Sequence, residues 1–242
     1  MIDPNTAKIK WIGRRGKIKV FTVNGGKIRT EIDKEFTNFG QHFRFNFIPE
    51  NEFWIDQEKV TDETKFFIDH MLMEWKLMKK GMDYNQAITF ANVAEQAERM
   101  RAKDVKEIID KEGFLKSSQV HKQLWGETDK GVKVWIIDGR LVRSLFFVDF
   151  TEGGHFFVYS FVPREEVWID NDLPEEERWP VLLHELYERH QMEKYGLTYN
   201  QAHRKASRLE WNCRTGKMDL QKKLAGLGWK DKKTSVTEKK NQ

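Results

Sequence analysis

The sequence predicts an α+β fold written twice, each copy a small antiparallel sheet packed against two or three helices. Three observations carry that expectation. The first is an internal repeat. VNGGKIRTEIDKEFTNFGQHFRFNFIPENEFWID, from Val23, aligns without a gap on IDGRLVRSLFFVDFTEGGHFFVYSFVPREEVWID, from Ile137, at an offset of 114 residues. It pairs Gly25 with Gly139, Arg29 with Arg143, Phe36 with Phe150, Gly40 with Gly154 and Trp54-Ile55-Asp56 with Trp168-Ile169-Asp170. After one extra residue before Gly196 the offset becomes 115, and GMDYNQA falls on GLTYNQA. An ordered series of this length signals duplication, so each copy is one structural unit. The second is that the hydrophobic period inside each copy changes from two to that of a helix. The third is composition: 39% hydrophobic and 13% aromatic residues supply a core, and 33% charged residues supply a solvated surface.

The elements follow in order. KIKVFTV, HFRFNFIP and EFWID, with their partners VKVWIID, HFFVYSFVP and EVWID, alternate or are rich in aromatic residues between glycine-containing turns, which predicts three or four strands per copy. NDLPEEERWPVLLHELYERHQMEKYG then opens on a proline and acidic residues and closes on Gly196, the marks of a helix start and stop. A further helix begins at Thr198, with Gln201 three residues on at capping-box spacing; Asp83 and Gln86 repeat this in the first copy. KMDLQKKLAGLG predicts a shorter third helix. The boundaries expected from this reading are residues 18–115 for the first copy, 116–132 for a linker, 133–230 for the second copy and 231–242 for a disordered basic tail.

Composition also narrows the function classes. No apolar run approaches the roughly 20 residues of a membrane span, and the opening MIDPNTAKIKWIGRRGK does not read as a signal peptide, so a cytoplasmic, membrane-free protein is expected. The single Cys213 excludes an internal disulfide framework and a cysteine-based zinc knuckle. A net charge of +4 permits nucleic acid as a partner without arguing for it.

The chemistry concentrates in the second copy. His184 and Glu188 lie one helical turn apart and share a face; His203 and Glu210, two turns apart on the next helix, share another. A short connection makes the helices antiparallel neighbours. Two histidines and one or two carboxylates then converge, a ligand set suited to Zn²⁺, or to Fe²⁺ or Mn²⁺ where carboxylates dominate. Glu185 sits beside His184, off the ligand stripe, where a proton acceptor belongs. His155, in a strand ahead of this helix, is expected to be a surface or turn residue, and His190 is a poor angular match. The first copy keeps His70, Glu74 and Glu95 at the positions of His184, Glu188 and Glu210, but has Met71 at that of Glu185 and Ile88 at that of His203. It is the expected degenerate copy, holding the fold without the site.

The aromatic strand, the VWID turn, the acidic helix start and LLHELYE together resemble the core of the zincin metallopeptidases, with HExxE in place of HExxH. That resemblance implies His184 and Glu188 as the first two zinc ligands, His203 as the third, Glu185 as general base, and a peptide or protein substrate. Tyr187 or Tyr199 would steady the oxyanion. HExxE followed by YxxAHxxAxxxE also resembles small proteins encoded by bacteriophages. Two alternatives stand beside the hydrolase. One is a non-catalytic binding protein in which Glu210 closes the metal site as fourth ligand. The other is an interaction scaffold that meets nucleic acid through the linker and tail.

Overall fold

The computed structural model describes residues 3–57, 63–112 and 117–231. The chain forms two compact units: Met1–Leu115 with Arg140–Asp149, and Lys116–Gly139 with Phe150–Gln242. Both are α+β, and among the described residues no helix is long and apolar enough to cross a membrane.

In unit 1, β1 (Lys8–Arg15), β2 (Ile18–Val23), β3 (Phe39–Gln41) and β4 (Glu52–Asp56) form a sheet of order β1-β2-β4-β3. The hairpin β1–β2 and the pair β3–β4 are antiparallel, but β2 and β4 run parallel, Val20 opposite Phe53. The sheet is therefore mixed rather than antiparallel as expected. A parallel pair needs a crossover, and this one carries a helix the sequence does not announce, α1 (Gly25–Glu31). The glycine pair that hides α1 is required there. Asp56 accepts from the Gly25 N–H at 3.3 Å and binds Arg29 Nη1 at 2.9 Å, so a Cβ on residue 25 would fall 1.7 Å from the carboxylate. This explains the repeated Trp-Ile-Asp: the aspartate ends the central strand under the start of the crossover helix, and the Gly139–Asp170 approach is the same. Gly25→Ala is expected to cost about 1–3 kcal/mol of stability by forcing Asp56 aside, as read from urea denaturation.

Three long helices complete the described elements of this stretch: α2 (Thr64–Lys79), α3 (Tyr84–Arg99) and α4 (Lys103–Glu112). Phe67, Ile68 and Met71 of α2 pack on Val20, Phe53 and Ile55 of the sheet. The segment 140–149, which opens inside α5 (Gly139–Leu145), belongs to this unit. Its Arg143 binds Glu63, which also binds Arg99 Nη1 at 2.7 Å, and all three side chains are fully buried.

Unit 2 repeats the plan. β5 (His121–Thr128), β6 (Lys133–Ile137), β7 (Gly153–His155), β8 (Glu166–Asp170) and β9 (Trp229–Asp231) have the order β7-β8-β6-β5-β9, with β6 and β8 parallel. The segment expected as a linker contains β5, which lies inside the sheet between β6 and β9. Its polar face hides it, and Trp125 is the residue it turns into the core. Residues 232–242 of the expected tail lie outside the described residues, and Asp231 ends β9.

The runs HFRFNFIP and, beyond His155 of β7, FFVYSFVP, expected as strands, form turns after the short strands β3 and β7. Their alternating aromatic residues serve a ring cluster instead. Phe36–Phe45, Phe45–Phe47 and Phe47–Trp54 centroids are 5.4, 5.5 and 5.9 Å apart, and Phe150–Tyr159, Tyr159–Phe161 and Phe161–Trp168 are 5.4, 5.4 and 5.9 Å apart. Such rings pack favourably without needing a strand.

The helices of unit 2 are α6 (Glu175–Tyr195), α7 (Tyr199–Arg214) and α8 (Leu220–Gly226). α6 starts after Pro174 with three glutamates in its first turn and ends on Gly196 at φ 62°, and α7 has the Thr198/Gln201 capping box, all as expected. Leu182, Leu183 and Leu186 of α6 bury against Val134, Ile136, Val167 and Ile169. That apolar stripe turns His184 and Glu188 toward α7, with Glu185 between the two faces beside β7.

Candidate metal centre

The seam where β7, α6 and α7 meet brings together His155, His184, Glu185, Glu188, His203 and Glu210. His184 Nε2, His203 Nδ1 and Glu188 Oε2 form a triangle with edges of 3.2, 3.5 and 2.9 Å. Metal bonds of about 2.0–2.1 Å in tetrahedral geometry put ligand atoms roughly 3.3 Å apart. The three atoms therefore already stand near the separations one ion imposes.

Each imidazole is held from behind. His184 Nδ1 is 2.8 Å from Glu210 Oε2, and Glu210 Oε1 accepts from Arg214 Nε at 2.7 Å. Arg214 Nη1 in turn makes two contacts with Glu177, at 2.9 and 2.8 Å. Ser207 Oγ is 3.4 Å from His203 Nε2, on the ring edge away from the triangle. Glu210, expected as a fourth ligand, has its two oxygens on His184 Nδ1 and Arg214 Nε. A carboxylate behind a ligating histidine fixes its tautomer and raises its basicity. Glu210→Gln is thus expected to weaken metal affinity by roughly 10–100-fold and to leave the fold intact, as read by calorimetric titration.

His155 overturns the sequence expectation. It is wholly buried in β7, and its Nε2 lies 3.1 Å from Glu188 Oε1. Glu185 lies against the same strand: a Cβ on Gly153 would come within 2.9 Å of Glu185 Cγ. Among the described residues, two groups could hold a metal ion, His184/Glu188/His203 and His155/Glu185/Glu188, each with donor atoms within 4.8 Å of one another. Tyr187 faces elsewhere, lining a groove with Gln191, Tyr195, Leu197 and Lys205. Tyr199 lies with its ring 5.2 Å from that of His203.

The ionisation states follow from burial and these contacts. Burial pulls the His184 pKa down, but hydrogen bonds to Glu188 and Glu210 outweigh it and hold the group well above its ordinary 6.5. Burial raises Glu185 to about 8, against the opposing pull of His184. Burial also works to raise Glu188, yet hydrogen bonds to His155, His184 and His203 keep it well below the carboxylate range. Glu210 is lowered to about 2, the His184 hydrogen bond and Arg214 prevailing over burial. Burial lowers His155, more than its bond to Glu188 raises it, so this ring is neutral at pH 7.

Unit 1 holds the same architecture with fewer donors. Glu63, Arg99, Glu95, His70 and Glu74 form the counterpart chain: Arg99 Nε to Glu95 Oε1 is 2.7 Å and His70 Nδ1 to Glu95 Oε2 is 2.8 Å. Where unit 2 has Gly153, His155, Glu185 and His203, unit 1 has Phe39, Gln41, Met71 and Ile88. Gln41 donates to Glu74 Oε1 at 2.5 Å, and the ring of Phe39 lies 5.1 Å from that of His70. His70 is raised to about 9, its bonds to Glu74 and Glu95 overcoming burial.

Fold and site together define a duplicated α+β protein whose second unit carries histidine–glutamate groups able to hold a metal ion. No protein-family model matches the chain, and no curated protein or solved structure matches it either.

Proposed function

We propose that unit 2 is a metal-dependent hydrolase acting on peptide bonds, with His184, His203 and Glu188 as ligands of a zinc-class ion. The observation that carries this reading is the His184–His203–Glu188 triangle, whose edges suit one ion before any ion is bound. Glu210 favours an open site over a structural staple. Both of its oxygens are engaged, by His184 and Arg214, so the protein offers three ligands and leaves a position for water or substrate. A bound ion there supplies Lewis acidity toward a carbonyl and acidity to water.

The protein's own residues do the rest. Glu185, with a pKa of about 8 in the absence of metal, gives up its proton readily once a cation is near, and then accepts one from water. Glu210 and Arg214 hold His184 in register, and Ser207 holds His203. The companion pattern of loss in unit 1, Met71 for the base and Ile88 for a ligand, supports a chemical rather than architectural role for Glu185 and His203.

The test is elemental analysis of the purified protein beside His203→Ala, with cleavage of fluorescently labelled casein followed in both. The expected result is bound zinc, manganese or iron in the wild type, a loss of metal in His203→Ala, and chelator-sensitive cleavage only in the former. Equal metal in the two proteins, or none in either, would sink the site; metal without cleavage would sink the peptidase and leave a metal-binding protein.

A further inference from the structure

We propose that unit 2 holds two metal ions bridged by Glu188: one on His184, His203 and Glu188 Oε2, the other on His155, Glu185 and Glu188 Oε1. The inference rests on the metal-binding reading above and extends it to a second, separate set of donors.

Three observations carry it. The first is the disposition of Glu188. Its Oε2 is 2.9 Å from His203 Nδ1 and 3.5 Å from His184 Nε2, whereas its Oε1 is 3.1 Å from His155 Nε2. One carboxylate thus presents each oxygen to a different set of imidazole nitrogens, the arrangement a carboxylate adopts when it spans two cations. A single ion on the first set leaves the buried His155 without a ligating role.

The second is the electrostatics of the seam. Glu185 and Glu188 project from the same stretch of α6 into a site closed by the wholly buried His155, where Glu188 is itself buried. Two carboxylates in one water-poor site do not both ionise unless positive charge lies between them. The second set of donors would place such a cation.

The third is the internal comparison. His155, Glu185 and His203 are the donors present only in unit 2, and they divide between the two ions; Glu188, common to both ions, survives in unit 1 as Glu74. Unit 1 fills the second position twice over. Gln41 satisfies the oxygen that His155 meets, and Phe39 with Met71 occupies the space that Gly153 leaves for Glu185. Removing a phenylalanine side chain beside a sheet edge is costly unless something else uses the room. One imidazole and two carboxylates form a harder donor set than the first, suited to Mn²⁺ as well as Zn²⁺. With both positions filled, Glu185 is a ligand rather than a proton acceptor.

The experiment uses the full chain, stripped with chelator and titrated with Mn²⁺ and, separately, Zn²⁺. Stoichiometry is read by calorimetry and elemental analysis, and Mn²⁺ pairing by electron paramagnetic resonance. The wild type should take up two equivalents and show the exchange-coupled signal of two neighbouring Mn²⁺ ions. His155→Gln and Glu185→Gln should each bind one equivalent and lose that signal, while Glu188→Gln should lose both ions. His155→Gln installs the side chain that Gln41 already provides in the same fold, and its urea midpoint checks that the unit is intact. One equivalent in the wild type, unchanged in His155→Gln, overturns the second ion and leaves the single-ion hydrolase standing. Two equivalents in both proteins also overturns it, because the extra ion then sits elsewhere. No binding at all removes this proposal and the one it rests on together.

Discussion

Glu63→Gln should lower the unfolding free energy of unit 1 by about 3–5 kcal/mol. Glu63 binds two guanidinium groups, those of Arg99 and Arg143, and none of the three side chains is exposed to solvent. The amide keeps the shape but removes the negative charge, so two buried cations lose the carboxylate they share, and among the described residues Arg99 is left with Glu95 alone. Breaking a buried pair from one side is far more destabilising than replacing the whole pair with apolar groups. Unit 2 contains the control. Glu177 occupies the equivalent place against Arg214, but its side chain is 14% exposed, so water screens what the substitution leaves behind. Glu177→Gln should therefore cost about 1 kcal/mol or less. Urea denaturation of both variants, each beside the wild type, makes the measurement, and equal losses at the two positions would show that burial does not govern these pairs.

The metal-free protein should become less stable as the pH rises from about 6 to 8, and Glu185→Gln should remove part of that loss. Glu185 is the first contributor. Its pKa is raised by burial from 4.5 to about 8, so between those values the folded protein keeps a proton that the unfolded chain releases. Stability then falls with rising pH at ~1.4 kcal/mol per unit for one such group. His184 adds to the same trend. Its folded pKa lies well above 6.5, so the stability it contributes is fully present below 6.5 and is lost as the pH rises toward the folded value. Glu188 acts at the other end: its depressed pKa contributes stability above the carboxylate range, lost only in strong acid. Urea midpoints of chelator-treated wild type and Glu185→Gln between pH 5.5 and 9 test this directly. The gap between the two curves should already be open at pH 5.5, widen up to about pH 8 and hold above it; parallel curves between pH 5.5 and 8 would contradict the assignment of the buried proton to Glu185. Saturating metal should flatten the wild-type curve, because the cation takes the place of the protons.

Much of this architecture is legible in the amino-acid sequence because the chain repeats itself. The offsets of 114 and 115 residues pair the elements of the two copies, although residues 140–149 of the second copy belong to unit 1, and the acidic start and glycine stop of α6 and the capping box of α7 fall where their residues place them. Other features are hidden for specific reasons. The parallel pairs β2–β4 and β6–β8 depend on a crossover whose helix begins with glycine, a residue that lowers helix propensity but here admits the aspartate. The aromatic alternation of HFRFNFIP mimics a strand because ring packing within a turn uses the same spacing. Within the site, the helical spacings bring His184, Glu188 and His203 together as expected, whereas Glu210 falls behind His184, since both of its oxygens have nearer partners. His155 escapes a reading by helical spacing alone, although the sequence carries its signal. It pairs with Gln41 across the repeat, changing between copies as Glu185 and His203 do, and that shared pattern is the clue to its place beside Glu188.

Strand β9 has a consequence for the order in which the molecule can be made. Among the described residues, β4 is the last strand of the unit 1 sheet and ends at Asp56. In unit 2, β5 is flanked on one side by Trp229–Asp231, and the Trp125 ring lies 5.5 Å from that of Trp229. Glu127 must therefore wait for Lys230, about a hundred residues later, and contacts so distant along the chain close slowly. During synthesis the edge of β5 stays bare until nearly the whole of unit 2 has emerged, and an unpaired strand edge is open to association with other chains. A nascent chain that stops short of Trp229 keeps His155, His184, Glu185, Glu188 and His203 yet leaves that edge uncovered.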